Sequence, residues 1–244
     1  MKDLFKPLKN LTRASSSKAP VVSKTTDVQA FLGKVAGMPK TAGDARLVFA
    51  LDATASRQST WDMASQLQSE MFACAQSLGG LAIQLCYFRG FADFYKSPWQ
   101  SNGKELLTKM SGIQCQAGAT KIEQILRHIL AENGVRKVKC VVYIGDAMEE
   151  NRDILADLAG KMGLLNIPVF VFQERSDPVA KQSFQELARL SGGAYAQFDS
   201  ASAEALKDLL KAVAIYAAGG LKALQAFSEK SAPAVRLLQQ QVKS

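Results

Sequence analysis

Four continuous apolar runs, separated by segments of helical periodicity, constrain this chain more than any other feature. The runs are LVFAL at 47–51, LAIQLCYF at 81–88, VKCVVYI at 138–144 and PVFVF at 168–172. A strand that alternates apolar and polar residues has one solvated face, whereas a continuously apolar strand is covered on both faces. Such strands belong to parallel sheets with helices on either side, so an α/β protein is predicted.

The segments around these runs complete the predicted architecture. Apolar residues recur at three- and four-residue spacing at 61–78, 122–130, 154–162, 179–190 and 206–217, which predicts helices. A further strand is predicted at 194–198, and FADFY at 91–95, directly after Gly90, predicts an antiparallel edge hairpin. We therefore predict a doubly wound, mostly parallel six-stranded sheet with one antiparallel edge strand and helices on both faces.

Charge separates a neutral body from two basic ends. The chain has 244 residues, 30 Lys and Arg against 22 Asp and Glu, and the whole excess lies in residues 1–44 and 221–244. A nucleic-acid-binding body needs a basic face, so nucleic acid is not an expected partner. We expect a basic flexible arm with a short helix at 1–43, one domain at 44–219, and a helical tail at 220–244 that packs on the body or awaits a partner.

The sequence also sets an expectation for the compartment. The first ten residues contain no apolar signal-peptide region, and no run approaches the 18 apolar residues that a spanning helix needs. A cytoplasmic protein is expected. The basic ends leave contact with an anionic membrane surface open, although Pro7 and Pro20 interrupt the N-terminal arm.

Oxygen-bearing side chains follow two of the predicted strands. Asp52, Thr54 and Ser56 stand at alternate positions directly after the first run, and Asp146 follows the run at 138–144. The carboxyl ends of parallel strands meet at one edge of a sheet, where ligands of this architecture bind. Oxygen donors of low total charge suit Mg²⁺ or Mn²⁺. No glycine-rich phosphate loop is present, so nucleotide binding is not predicted.

This arrangement resembles the von Willebrand factor A domain, whose metal-ion-dependent adhesion site has the pattern D-x-S-x-S, then a Thr, then an Asp. The resemblance covers about residues 44–219. D-A-T-A-S matches the first element, QAGATKIEQIL resembles the second, and YIGDAMEEN resembles the third with Gly145 where the family usually has Thr. ELARLSGGAYAQF is similar to the family's run into its last strand. The resemblance implies an intact metal site, formed by Asp52, Thr54, Ser56, Thr120 and Asp146.

What the resemblance implies for function is a non-catalytic module for adhesion or scaffolding. Its metal, Mg²⁺ or else Mn²⁺ or Ca²⁺, would take a carboxylate from an Asp or Glu of a partner protein. By analogy with the family, a bacterial-type cytoplasmic scaffold or assembly factor is expected. The partner itself is not identified by the sequence.

Each of these residues also has a purely structural interpretation. Thr120 and Glu123 form the pattern of a capping box, and Ser56 stands where it could cap the following helix. Asp146, Glu149 and Glu150 stand before a predicted helix, where carboxylates are favourable because of the helix dipole. His128, the single histidine, is expected to face solvent in mid-helix.

Two other classes of function remain open at this point. A haloacid-dehalogenase-type phosphatase would use Asp52 as its nucleophile, but the second carboxylate of its D-x-D pattern is Thr54 here. Its phosphate-orienting lysine would have to be Lys121 or Lys137, which no motif supports. The third class is a metal-free module that acts through its basic tails.

Overall fold

The computed structural model describes residues 45–58, 61, 81–101, 103–198, 203–228 and 233–242. The predicted arm at 1–43 and nearly all of the predicted helix at 61–78 lie outside these residues. Within the described residues, six strands form one sheet, with bounds β1 Ala45–Asp52, β2 Leu81–Arg89, β3 Asp93–Lys96, β4 Cys140–Gly145, β5 Val169–Glu174 and β6 Ala194–Phe198.

The sheet confirms the predicted architecture. Its strand order is β3-β2-β1-β4-β5-β6, and every neighbouring pair is parallel except the antiparallel edge pair β2 and β3. The helices are α1 Gly103–Ser111, α2 Ile122–Val135, α3 Arg152–Leu164, α4 Pro178–Ser191, α5 Ala203–Ser228 and α6 Pro233–Gln241, with a 3₁₀ turn at Ala55–Arg57.

Two apolar cores explain why the strands are continuously apolar. Successive side chains of a strand point to opposite faces, so β1 contributes Leu47, Phe49 and Leu51 to one core and Val48 and Ala50 to the other. The first core also contains residues of α1, α5 and α6. The second contains residues of α2, α3 and α4. Since both faces are covered, neither needs polar residues along the central strands.

The strand order places a topological switch at β1. The chain runs from β1 outward to β2 and β3, and then returns to β4 on the other side of β1. The connections therefore diverge where the carboxyl ends of β1 and β4 lie next to each other. Crevices of this kind are the usual ligand sites of open α/β sheets. Asp52 ends β1, and Asp146 follows β4.

The C-terminal segment packs on the body within its described part. Gly220 has a φ of 70°, which bends α5 at the predicted start of the tail. Beyond the bend, Leu224 and Phe227 of α5 and Leu238 of α6 enter the first core. The side chain of Gln241 bonds to the backbone nitrogen and oxygen of Tyr195 on the edge strand β6. None of the described helices is long and apolar enough to span a membrane.

Candidate functional site

A hydrogen-bonded group of side chains stands at the switch point. The backbone nitrogen of Thr54 donates to Asp52 Oδ1 at 2.8 Å, and Thr54 Oγ1 lies 3.1 Å from Ser56 Oγ. Ser56 Oγ donates to Asp146 Oδ1 at 3.1 Å, which joins the end of β1 to the end of β4. Four of the five predicted metal ligands are thus connected in one group.

The loop after β1 is held in place by the backbone of the segment before α2. Ala55 N donates to Gln116 O and Gln116 N donates to Ala53 O, each at 3.1 Å. Gly118 in turn lies against Gly90, so closely that a Cβ on Gly118 would stand 1.9 Å from the Gly90 oxygen. A glycine is therefore required in the QAGAT segment for steric reasons.

Thr120 is bonded to Glu149 and does not cap a helix, and no hydrogen bond among the described residues joins it to the other four candidate ligands. Thr120 N donates to Glu149 Oε2, and Glu149 N donates to Thr120 Oγ1, both at 3.1 Å. Helix α2 has Lys121 at its N-cap with no side-chain cap bond, and the Glu150 carboxylate accepts from Ile122 N and Glu123 N instead. The capping-box interpretation of Thr120 is therefore wrong, because a carboxylate from a distant loop does the capping.

The structural interpretations of Ser56 and Asp146 have different outcomes. The helix that Ser56 was expected to cap lies almost entirely outside the described residues. Asp146 is nearly fully buried, and its two oxygens face Ser56 and Arg175. The N-cap of the following helix, α3, is Asn151, whose side chain accepts from Asp153 N and Ile154 N. Asp146 is thus not needed to begin that helix.

Asp52 carries the most unusual electrostatics of the site. It is fully buried, and its Oδ2 has no hydrogen-bond partner among the described residues. Burial raises the pKa of Asp52 from its ordinary value of 3.8 to about 6, although bonds from Thr54 and the charge of Arg57 oppose this change. The nearby charge of Asp146 raises the pKa further. A cation beside Asp52 would reverse the balance in favour of the charged form.

A buried ion pair beneath the site was not found by sequence reasoning. Arg57 follows Ser56 directly, is fully buried, and donates from Nε to Glu174 Oε2 at 2.8 Å. Its Nη1 also donates to the backbone oxygen of Asp52 at 2.6 Å. The pair therefore joins the loop after β1 to the end of β5. The only signal in the sequence was the position of Arg57, a charged residue directly after the D-A-T-A-S motif.

Arg175 stands at the edge of the site. Its Nη1 lies 3.7 Å from Asp146 Oδ2, and its side chain is 49% exposed. The residue has a φ of 62°, in the left-handed region that non-glycine residues rarely adopt, and Gln197 Nε2 donates to its carbonyl oxygen. The chain thus places a positive charge next to the candidate ligand Asp146.

We expect Arg175→Gln to raise the affinity for Mn²⁺ by about threefold, because a guanidinium next to Asp146 repels a second cation. The measurement is the dissociation constant by titration calorimetry at low ionic strength. Arg127→Gln is the matched control, since Arg127 pairs with Glu123 on the exposed face of α2. A fall in affinity in Arg175→Gln would contradict this role.

The donor set fits a hard divalent cation. No cluster of three or more His, Cys, Asp or Glu suited to a metal occurs in the part of the chain that the structure describes. The candidate ligands are instead two carboxylates and three hydroxyls, all oxygen donors, which suit Mg²⁺ or Mn²⁺ and not zinc. The partnerless oxygen of Asp52, buried beside this group, is the atom that a cation would satisfy.

Two of the remaining candidate residues, His128 and Lys137, lie away from this group, whereas Lys121 directly follows Thr120 at the N-cap of α2. His128 is half-buried, with Nε2 2.9 Å from Gln84 Oε1 and its ring edge-on to Phe94, so the expectation that it faces solvent is not met. Lys137 precedes β4 at the opposite edge of the sheet, where Nζ donates to the carbonyls of Leu165 and Asn166. Lys137 therefore cannot serve a phosphate bound at Asp52.

Solved structures show what this fold is similar to. An aerotolerance-related membrane protein from Bacteroides fragilis matches with a TM-score of 0.55 and 16% identity, over 68% of this chain and 96% of that chain. A von Willebrand factor type A protein from Catenulispora acidiphila matches with a TM-score of 0.56 and 13% identity, over 73% of this chain and 44% of that chain. The pilus adhesin SpaC from Lactobacillus rhamnosus GG matches with a TM-score of 0.57 and 11% identity, over 78% of this chain and 31% of that chain.

These similarities establish the fold alone, since the identities are low. The chain has the fold of the von Willebrand factor A domain, as the resemblance implied. No protein-family model matches the sequence, and no curated protein matches it.

Proposed function

We propose that this protein is a non-catalytic protein-binding module that holds Mg²⁺ and receives a carboxylate of a partner protein at that ion. The observation that carries the proposal is the buried Oδ2 of Asp52, which has no hydrogen-bond partner in the part of the chain that the structure describes. A buried carboxylate oxygen without a donor is costly, and it is kept here beside two hydroxyls and a second carboxylate. A divalent cation is the partner that these oxygens have in common.

The residues proposed to hold the ion are Asp52, Thr54, Ser56, Thr120 and Asp146. When bound, Mg²⁺ supplies a positive charge that prefers oxygen ligands and is reluctant to lose its water. The buried pair of Arg57 and Glu174 keeps the loop after β1 in position. The bonds between Thr120 and Glu149 do the same for the loop after β4.

Recognition of an acidic side chain follows from the charges at the site. Two carboxylates balance a divalent ion, the buried pair of Arg57 and Glu174 is neutral as a whole, and Arg175 adds a positive charge at the rim. Glu149 and Glu150 also lie here, but their carboxylates accept bonds from the backbone at the start of α2. The similarity in fold to a pilus adhesin and to the minor pilin PilB of Streptococcus sanguinis supports a role in protein interaction.

The test uses Mn²⁺ as the ion and N-acetylaspartate amide as the carboxylate probe. We expect one Mn²⁺ to bind per chain, with a rise in water proton relaxation that falls again when the probe displaces bound water. N-acetylasparagine amide should have no such effect. Asp52→Ala should abolish tight Mn²⁺ binding, because it removes the ligand at the centre of the site.

Asp157→Ala is the matched control. Asp157 is exposed on α3, where it pairs with Lys161, so its loss should leave Mn²⁺ binding unchanged. Equal binding by wild type and Asp52→Ala would refute the proposed site. Binding of Mn²⁺ without any response to the aspartate probe would refute the carboxylate-receiving role while leaving the ion site intact.

A further inference from the structure

Tyr143 has a buried hydroxyl close to the site that none of the contacts described above uses. The side chain is 2% exposed, and its hydroxyl has no hydrogen-bond partner among the described residues. We propose that Tyr143 is a positioning residue of the site, whose hydroxyl holds a buried water against the free oxygen of Asp52. The effect of Tyr143 on ion binding rests on the proposed function, whereas the water held between Tyr143 and Asp52 does not depend on it.

The sheet register brings Tyr143 and Asp52 onto one face. Ala50 of β1 pairs with Tyr143 of β4, and Leu51 pairs with Ile144, so the next step along both strands sets Asp52 beside Gly145. Alternate residues of a strand share a face, so Asp52 lies on the same face as Ala50, and Gly145 on the same face as Tyr143. Ala50 and Tyr143 both belong to the second core, which identifies that face.

Gly145 leaves the space that the Tyr143 hydroxyl occupies. A Cβ on Gly145 would stand 2.6 Å from the hydroxyl oxygen and 2.9 Å from Cζ of Tyr143. The ring therefore extends along the strand until its hydroxyl reaches the level of residue 145, which is also the level of Asp52. This accounts for the one departure at the third element of the motif: the hydroxyl expected at position 145 is brought there by Tyr143.

The two partnerless atoms are complementary. Burial raises the pKa of Tyr143 well above its ordinary value, and the charge of Asp52 adds to this, so the phenol keeps its proton and is a donor. Asp52 Oδ2 is an acceptor. A single water that accepts from Tyr143 and donates to one lone pair of Asp52 Oδ2 satisfies the phenol and leaves the second lone pair of Oδ2 for an ion. Buried waters typically occupy such polar positions.

The first test is the sign of the stability change in Tyr143→Phe, measured by urea unfolding in EDTA at pH 7.5. If the hydroxyl holds a water against Asp52, its loss should raise the unfolding equilibrium constant about fivefold. A hydroxyl that is merely buried without a partner would give the opposite sign, since its removal relieves an unsatisfied group. Tyr216→Phe is the control, because Tyr216 packs against Phe170 in the first core, and it should change the constant less than about twofold.

The second test is a double-mutant cycle with Asp52→Ala. The bridge requires both side chains, so the effect of Tyr143→Phe should shrink to less than about twofold in the Asp52→Ala background. Additive effects would overturn the inference. Tyr143→Phe should also weaken Mn²⁺ binding about tenfold, as outer-shell partners of metal ligands do. If wild type binds no Mn²⁺ the proposed function fails, while the cycle still decides on the bridge.

Discussion

Replacing Glu174 by glutamine is expected to lower the free energy of unfolding by about 3 kcal/mol, because it removes the carboxylate charge that pairs with Nε of the buried Arg57 guanidinium. Both side chains are almost fully buried, so water cannot compensate. The same change should loosen the loop after β1, since Arg57 also donates to the backbone oxygen of Asp52. Urea unfolding at pH 7.5 measures the first effect, and Mn²⁺ titration measures the second.

Glu186→Gln provides the matched control for that experiment. Glu186 lies 3.6 Å from Arg152 on the surface, so its neutralisation should cost no more than about 0.5 kcal/mol. The double variant Arg57→Met, Glu174→Leu should recover stability to within about 1 kcal/mol of wild type, because it removes both buried charges. It should not recover Mn²⁺ affinity. If Glu174→Gln costs no more than Glu186→Gln, the buried pair does not hold the site together.

Asp52→Asn is expected to stabilise the metal-free protein at pH 7.5. Because the pKa of Asp52 is raised from 3.8 to about 6 on folding, the neutral carboxyl stabilises the folded state below pH 4. That stability is lost as the pH rises through 6, at a cost of about 3 kcal/mol. The amide avoids the charge but sets an NH₂ where Oδ2 has no protein partner among the described residues, so a gain of about 1–2 kcal/mol is expected.

The measurement for Asp52→Asn is urea unfolding in EDTA at pH 7.5 and pH 4. The difference from wild type should be present at pH 7.5 and absent at pH 4, where the wild-type carboxyl is protonated. In saturating Mg²⁺ the order should reverse, because only wild type gains from binding, by about 2.7 kcal/mol at one hundred times the dissociation constant. If the variant is no more stable than wild type at pH 7.5 in EDTA, the buried charge of Asp52 does not destabilise the metal-free folded state.

The fold could be predicted from the sequence because its signal is local. A continuously apolar strand such as β4 indicates burial on both faces, whatever the chain does elsewhere. The hairpin at Gly90 could be predicted as well, because glycine readily adopts the positive φ, here 58°, that the corner requires. At Gly220 a change of segment was expected but a bend within one helix was not, because α5 continues its apolar periodicity through that residue.

The contacts inside the candidate site could not be predicted, because they join distant residues. Thr120 and Glu123 match a local capping pattern, yet the cap comes from Glu150, 28 residues beyond Ile122. Arg57 and Glu174 are separated by 117 residues, and nothing in the sequence indicates that they pair. From the sequence, Tyr143 is predicted to be an ordinary core residue of β4. Its role depends on the position of its hydroxyl beside Gly145, which only the structure gives.

The most direct test of the account is a crystal of the full chain grown with Mn²⁺ and measured at a wavelength where manganese scatters anomalously. The account predicts one strong peak among the oxygens of Asp52, Thr54, Ser56, Thr120 and Asp146. A map with no peak there, in which Asp52 Oδ2 is turned to a protein donor, would contradict the central claim that these separated loops form an ion site.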